Sequence, residues 1–105
     1  MQPAGDPILT RFRSALGELY GAQLDRVILF GSRARGDARP DSDYDVAVFL
    51  KALPDRWAEL DRLADLRVRF LDETGAFFDA RPYPQDAYDD ASPLMHEIRR
   101  EGLEL

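Results

Sequence analysis

The sequence predicts an α/β (α+β) domain built on a small mixed three-stranded sheet packed with helices. Short apolar runs at 27–30, 44–50 and 76–81 are bounded by turn formers, as strands are. Two longer stretches, 6–20 and 54–74, repeat apolar residues at helical spacing. Position supplies the third sign. Gly31 and Ser32 leave the end of the first strand while Asp43 and Asp45 open the second, so one site can hold all four only if these strands run antiparallel.

In residues 6–20, Ile8, Leu9, Phe12, Ala15, Leu16, Leu19 and Tyr20 mark the inward stripe of an amphipathic helix, and Gly21 stands where a helix ends. Val27 to Phe30 reads as a buried strand. From Gly31 to Asp43 the chain is small, charged and turn-forming, before a second strand from Tyr44 to Leu50. Pro54 and Asp55 open a long helix with Trp57, Leu60, Leu63, Ala64, Val68 and Leu71 on its apolar face and Gly75 at its close. Trp57, Phe70, Phe77 and Phe78 are expected in the core. Residues 76–81 form the third strand, which Pro82 and Pro84 should stop. It should lie parallel to the second strand through a right-handed crossover. Ser92 and Pro93 cap a last helix that ends near Glu101.

Composition narrows the function. One domain, residues 1–105, is the expectation, because a chain of 105 residues supports one core. No apolar run approaches the roughly 18 residues that cross a bilayer, and residues 1–6 lack the pattern of a leader, so a cytoplasmic protein without a membrane partner is expected. With no cysteine and one histidine, His96, any metal must be held by oxygen. A net charge of −6 argues against direct polynucleotide binding, although Arg33, Arg35 and Arg39 keep local anion binding open.

The informative segment runs from Leu29 to Val46. A glycine after a buried strand lets the backbone turn tightly and approach a ligand, and the next hydroxyl and helical amides offer donors to phosphate, a role that suits Gly31 and Ser32. Side chains on a strand alternate, so Asp43 and Asp45 project from one face with Tyr44 on the other. Two adjacent carboxylates repel unless cations lie between them, and Mg²⁺ is the cation that prefers carboxylate and phosphate oxygens. Asp79, mid-strand among Phe77, Phe78 and Ala80, is the candidate third acid. Arg33 and Arg35 are candidates for the triphosphate. Asp41, Asp43 and Asp45 also start like a calcium loop, but Val46 and Ala52 stand where glycine and glutamate are needed. Gly31 and Gly36 have phosphate-loop spacing, but Asp37 and Ala38 replace the lysine and hydroxyl.

Gly31-Ser32, ten residues, then Asp43-Tyr44-Asp45 resembles the signature of the DNA-polymerase-β-like nucleotidyltransferase superfamily. Gly31-Ser32-Arg33-Ala34-Arg35-Gly36 with Ser42-Asp43-Tyr44-Asp45 is similar to its minimal nucleotidyltransferase branch, as is the C-terminal stretch from Ile98 to Gly102. Tyr44 and Val46 depart from the branch, which more often has Ile and Leu there, and Arg81 is close enough to pair with Asp79. The resemblance implies the polymerase-β-like fold, two Mg²⁺ ions on Asp43, Asp45 and Asp79, and ATP with its β- and γ-phosphates at Ser32 and nearby amides. It also implies transfer of AMP to a hydroxyl, with a tyrosine of a HEPN-type toxin as acceptor and this chain as antitoxin. Two alternatives stay open: an antitoxin that acts by complex formation alone, and a catalytic subunit for a small-molecule acceptor. Little chain is left for an acceptor-binding domain, so the acceptor or another subunit should come from outside, and a homo- or hetero-oligomer is compatible with that.

Overall fold

In the computed structural model, which describes residues 5–105, the three longer helices begin where the sequence supplies a capping side chain. Helix α1 spans Pro7–Tyr20, with Asp6 accepting from the amides of Ile8 and Leu9 at 2.9 and 3.4 Å. Strand β1, Leu24–Phe30, leads into a single helical turn, α2, Ser32–Arg35. Strand β2 is Tyr44–Leu50 and helix α3 is Arg56–Thr74, capped by Asp55 and closed at Gly75. Strand β3 covers Phe78–Pro84, and helix α4, Pro93–Glu101, starts at Ser92, whose hydroxyl accepts from Met95. A two-residue strand β4, Leu103–Glu104, ends the series.

The sheet has four strands in the order β3-β2-β1-β4, where the sequence predicts three. β4 pairs with Ile28 and Leu29 of β1 and is too short to carry any periodicity of its own. β1 and β2 are antiparallel, as the placement of glycine and acids requires, and β2 and β3 are parallel, as the helical crossover between them predicts. β3 runs through Pro82 and ends at Pro84 rather than stopping at Arg81. It is an edge strand, where a missing amide donor can be tolerated.

Strand parity divides the interior. Val27, Leu29, Tyr44, Val46, Val48, Leu50, Phe78 and Ala80 face one way and pack with α1 and α3. Ile28, Ala47 and Phe49 face the other way and pack with Ala87 and with Met95 and Ile98 of α4. In the first layer Phe12 stacks on Phe78 with centroids 3.9 Å apart and meets the edge of Phe70 at 5.1 Å. α3 is rotated from its expected orientation. Leu63, Leu66 and Phe70 are buried, Val68 is exposed, and Trp57 is 78% exposed. Phe77, also expected in the core, is 56% exposed, just ahead of β3. Among the described residues, no helix is long and apolar enough to cross a membrane.

Candidate active site

Where β1 ends, the backbone of Gly31 takes φ 76°, a conformation that disfavours any residue with a Cβ. A Cβ there would also collide with the carboxylate of Asp45, so glycine is required twice over. The amides of Ala34 and Arg35 donate to the Gly31 carbonyl at 3.1 Å each, winding Ser32–Arg35 into its turn. The loop that follows is tied down by Arg33. Its Nε and Nη2 donate to the Ser42 carbonyl at 3.0 and 2.8 Å and Nη2 to that of Pro40 at 3.2 Å, while the guanidinium lies 4.0 Å from the Tyr44 ring centroid. Below it, the Tyr44 hydroxyl donates to Asp6 at 2.5 Å. Burial first, and then that bond, push the Tyr44 phenol up to about 12.

The loop delivers Asp43, exposed, to the start of β2, with Asp45 one pleat further on and opposite Phe30. In the parallel register Asp45 is the partner of Asp79. Asp45 is half buried, and its carboxyl titrates above the ordinary aspartate range. Burial is the largest cause, the charges of Asp79 and then Asp43 add to it, Arg81 opposes, and Glu97 contributes last. Gly31, Ser32, Asp43, Asp45 and Asp79 thus share one end of the sheet.

Other groups there are already engaged. Arg81 Nε and Nη2 donate to the two oxygens of Asp79 at 3.2 and 3.3 Å. Arg35 meets Asp37 at 3.2 Å and Glu101 at 3.4 Å. Among the described residues no three acidic or histidine side chains already stand as a metal cage. Glu97 is a group that the sequence does not single out. It is one acid on an amphipathic helix, and only the packing of α4 brings its charge toward Asp45. A cavity of about 670 Å³ opens beside Asp6, Leu29, Arg33, Tyr44 and Phe77 and touches none of the three acids. Chemistry follows the carboxylates here, since Asp43, Asp45 and Asp79 converge at one end of the sheet with Asp45 perturbed by its neighbours, and that cavity touches none of them.

Comparison with known proteins adds relatives to this geometry. Residues 9–86 match the model of the nucleotidyltransferase domain family. A curated relative from Methanocaldococcus jannaschii, provisionally named a protein adenylyltransferase, is 45% identical over 47 residues, 45% of this chain and 48% of that protein. The chain therefore spans about half the length of the curated relative it matches. Among solved structures, a toxin–antitoxin complex with AMP-PNP aligns at TM-score 0.62 and 20% identity, over 90% of this chain and 69% of that one. A nucleotidyltransferase structure from Sulfolobus solfataricus, also provisionally named, aligns at 0.59 and 18% identity, over 92% and 75%. At such identities the structural likeness is one of fold. The family match is of another kind, for it runs unbroken from α1 past β3 and takes in the whole arrangement from Gly31 to Asp79; this chain belongs to the nucleotidyltransferase domain family.

Proposed function

We propose that this chain, working in the cytoplasm, transfers AMP from ATP to a hydroxyl of a partner protein and releases pyrophosphate. Asp45 carries the reading: it is half buried beside a bend that admits no side chain, and is crowded by the charges of Asp79 and Asp43. A carboxylate kept in such surroundings calls for a cation. The donor set fits Mg²⁺, being carboxylate alone with neither thiolate nor imidazole, and Asp43, Asp45 and Asp79 would hold two ions. When bound, the ions neutralise charge on the phosphates and favour in-line displacement.

The chain's own groups do the rest. Gly31, without a Cβ, lets the Asp45 carboxylate lie against the bend, and Ser32 with nearby amides donates to the β- and γ-phosphates. Arg33 acts on the nucleotide through the loop it anchors, and Arg35 must exchange the carboxylates of Asp37 and Glu101 for the triphosphate in order to meet it. Asp79 takes the proton of the acceptor hydroxyl as that oxygen bonds to the α-phosphorus. The bond from this phosphorus to its bridging oxygen breaks, and the electron pair leaves with pyrophosphate. Arg81 must swing away from Asp79 for this to happen.

A tyrosine of a HEPN-type toxin is the acceptor that the sequence resemblance favours. Support comes from the toxin–antitoxin complex that shares the fold, from the AMP-PNP it contains, and from the provisional name of the Methanocaldococcus relative. Incubation with labelled ATP, Mg²⁺ and the candidate partner tests the proposal: label should appear on the partner and vanish with Asp43→Ala/Asp45→Ala. The Asp79–Arg81 pair favours a second reading, an antitoxin that neutralises by complex formation with nucleotide as a structural ligand. An unlabelled partner held in a tight complex would be its signature.

A further inference from the structure

Outside Asp79 the sheet ends, and arginines gather there. A cavity of about 570 Å³ brings Arg56, Arg67 and Arg81 together with Asp43, Asp79 and Leu60. Arg81 is bound to Asp79, but the other two guanidinium groups are largely uncommitted. Arg67 gives only its Nε, to the Phe78 carbonyl at 2.6 Å, and Arg56 lies 5.8 Å from the Tyr83 ring centroid. Among the described residues neither pairs with a carboxylate, in a chain with 20 acids against 14 basic groups. One position along α3 from Arg56 stands Trp57, 78% exposed.

The strand order says what this cavity would face. Gly31 and Ser32 lie at the end of β1, Asp45 is on β2, and Asp79 and the arginines lie on and beyond β3. In-line displacement brings the acceptor in from the side opposite the leaving group. With pyrophosphate leaving at Gly31 and Ser32, the acceptor arrives over β3, past Arg56 and Arg67.

We infer that the cavity formed by Arg56 and Arg67 docks the acceptor, and that the acceptor is a polypeptide whose reactive hydroxyl is flanked by aspartate or glutamate. The direction of approach rests on the nucleotidyl-transfer reading; the free arginines do not. A net charge of −6 disfavours a polynucleotide, whose binding needs many phosphates neutralised at once, whereas a short acidic segment needs only two forked donors. Arg81, released from Asp79 as the hydroxyl enters, would become a third donor to that segment.

Trp57 is the single tryptophan of the chain and follows Arg56 on α3, so its emission is a probe near the cavity. Tryptophan-free peptides with a central tyrosine between glutamates, glutamines or lysines, and a short single-stranded RNA, are titrated against the full chain by fluorescence. Each is also offered as acceptor with labelled ATP and Mg²⁺. The glutamate peptide should bind about tenfold tighter than the glutamine peptide. Arg56→Gln should remove most of that margin, and Arg56→Glu should shift preference to the lysine peptide, with unchanged thermal unfolding showing that both variants fold. Equal binding of the three peptides, a preference that survives both substitutions, or tighter binding of RNA would overturn the inference. Arginine-dependent binding with no label on any acceptor would sink nucleotidyl transfer and keep the acidic docking. Label spread evenly over the three peptides would do the reverse.

Discussion

Asp45 lies where burial and two neighbouring carboxylates all oppose its charge, so its pKa in the folded chain is above that of the unfolded chain. A carboxyl raised in this way contributes stability that is fully present below the unfolded pKa and lost as pH rises through the folded one. At neutral pH the fold therefore works against this charge. Asp45→Asn is expected to raise Tm at pH 7 without divalent ions, to lose that advantage as pH falls below about 4, and to abolish transfer. Thermal unfolding across pH, with one activity assay, checks all three. Gly31→Ala should act in the opposite direction, costing at least about 1–3 kcal/mol in urea denaturation, because a left-handed backbone and a collision with Asp45 are added together. At this scale the sequence is readable where the logic is local: a glycine closing a strand, and two acids one pleat apart. Glu97 and the Arg81 hold on Asp79 show how far that goes. An arginine two positions from an acid is visible in sequence, but an acid on a distant helix looks like any other.

Elements follow their local signals at the ends and depart from them at the faces. Caps at Asp6, Asp55 and Ser92 start their helices where expected, because capping is a contact between near neighbours. The face of α3 is another matter. Its sequence offers apolar residues around much of the circumference, and the sheet selects Leu63, Leu66 and Phe70 while leaving Trp57 and Val68 outside. Substitution should expose the difference. Phe12→Ala, which opens the stack on Phe78 and the edge contact with Phe70, should cost about 3–5 kcal/mol, whereas Trp57→Ala should change stability by about 0.5 kcal/mol or less. Denaturant unfolding monitored by circular dichroism serves for both, since Trp57→Ala removes the fluorophore. β4 went unread for a related reason: two residues have no period, and only β1 beside them makes them a strand.

Across the whole molecule, the sheet acts as a partition. One face is covered by α1 and α3 and the other by α4, and the acids gather at one end of the second face. Under the proposed function, divalent ions and nucleotide are a shared ligand of the fold. Mg²⁺ with a non-hydrolysable ATP analogue at about 100 times its Kd should stabilise the protein by about 2.7 kcal/mol, and EDTA should remove the effect. Asp43→Asn/Asp45→Asn should show no such gain, which thermal unfolding with and without EDTA would read. The amino-acid sequence alone determined the helix and strand order, the antiparallel relation of β1 and β2, and the Gly31, Ser32, Asp43 and Asp45 constellation, since each depends on residues within a few positions of one another or on the alternation of a single strand. Tertiary structure decided which face of α3 is buried, that a fourth strand joins the sheet, that Asp79 lies beside Asp45, and that Arg56 and Arg67 gather near them. Those outcomes depend on burial and charge summed over groups distant in the chain, and no local pattern encodes such a sum.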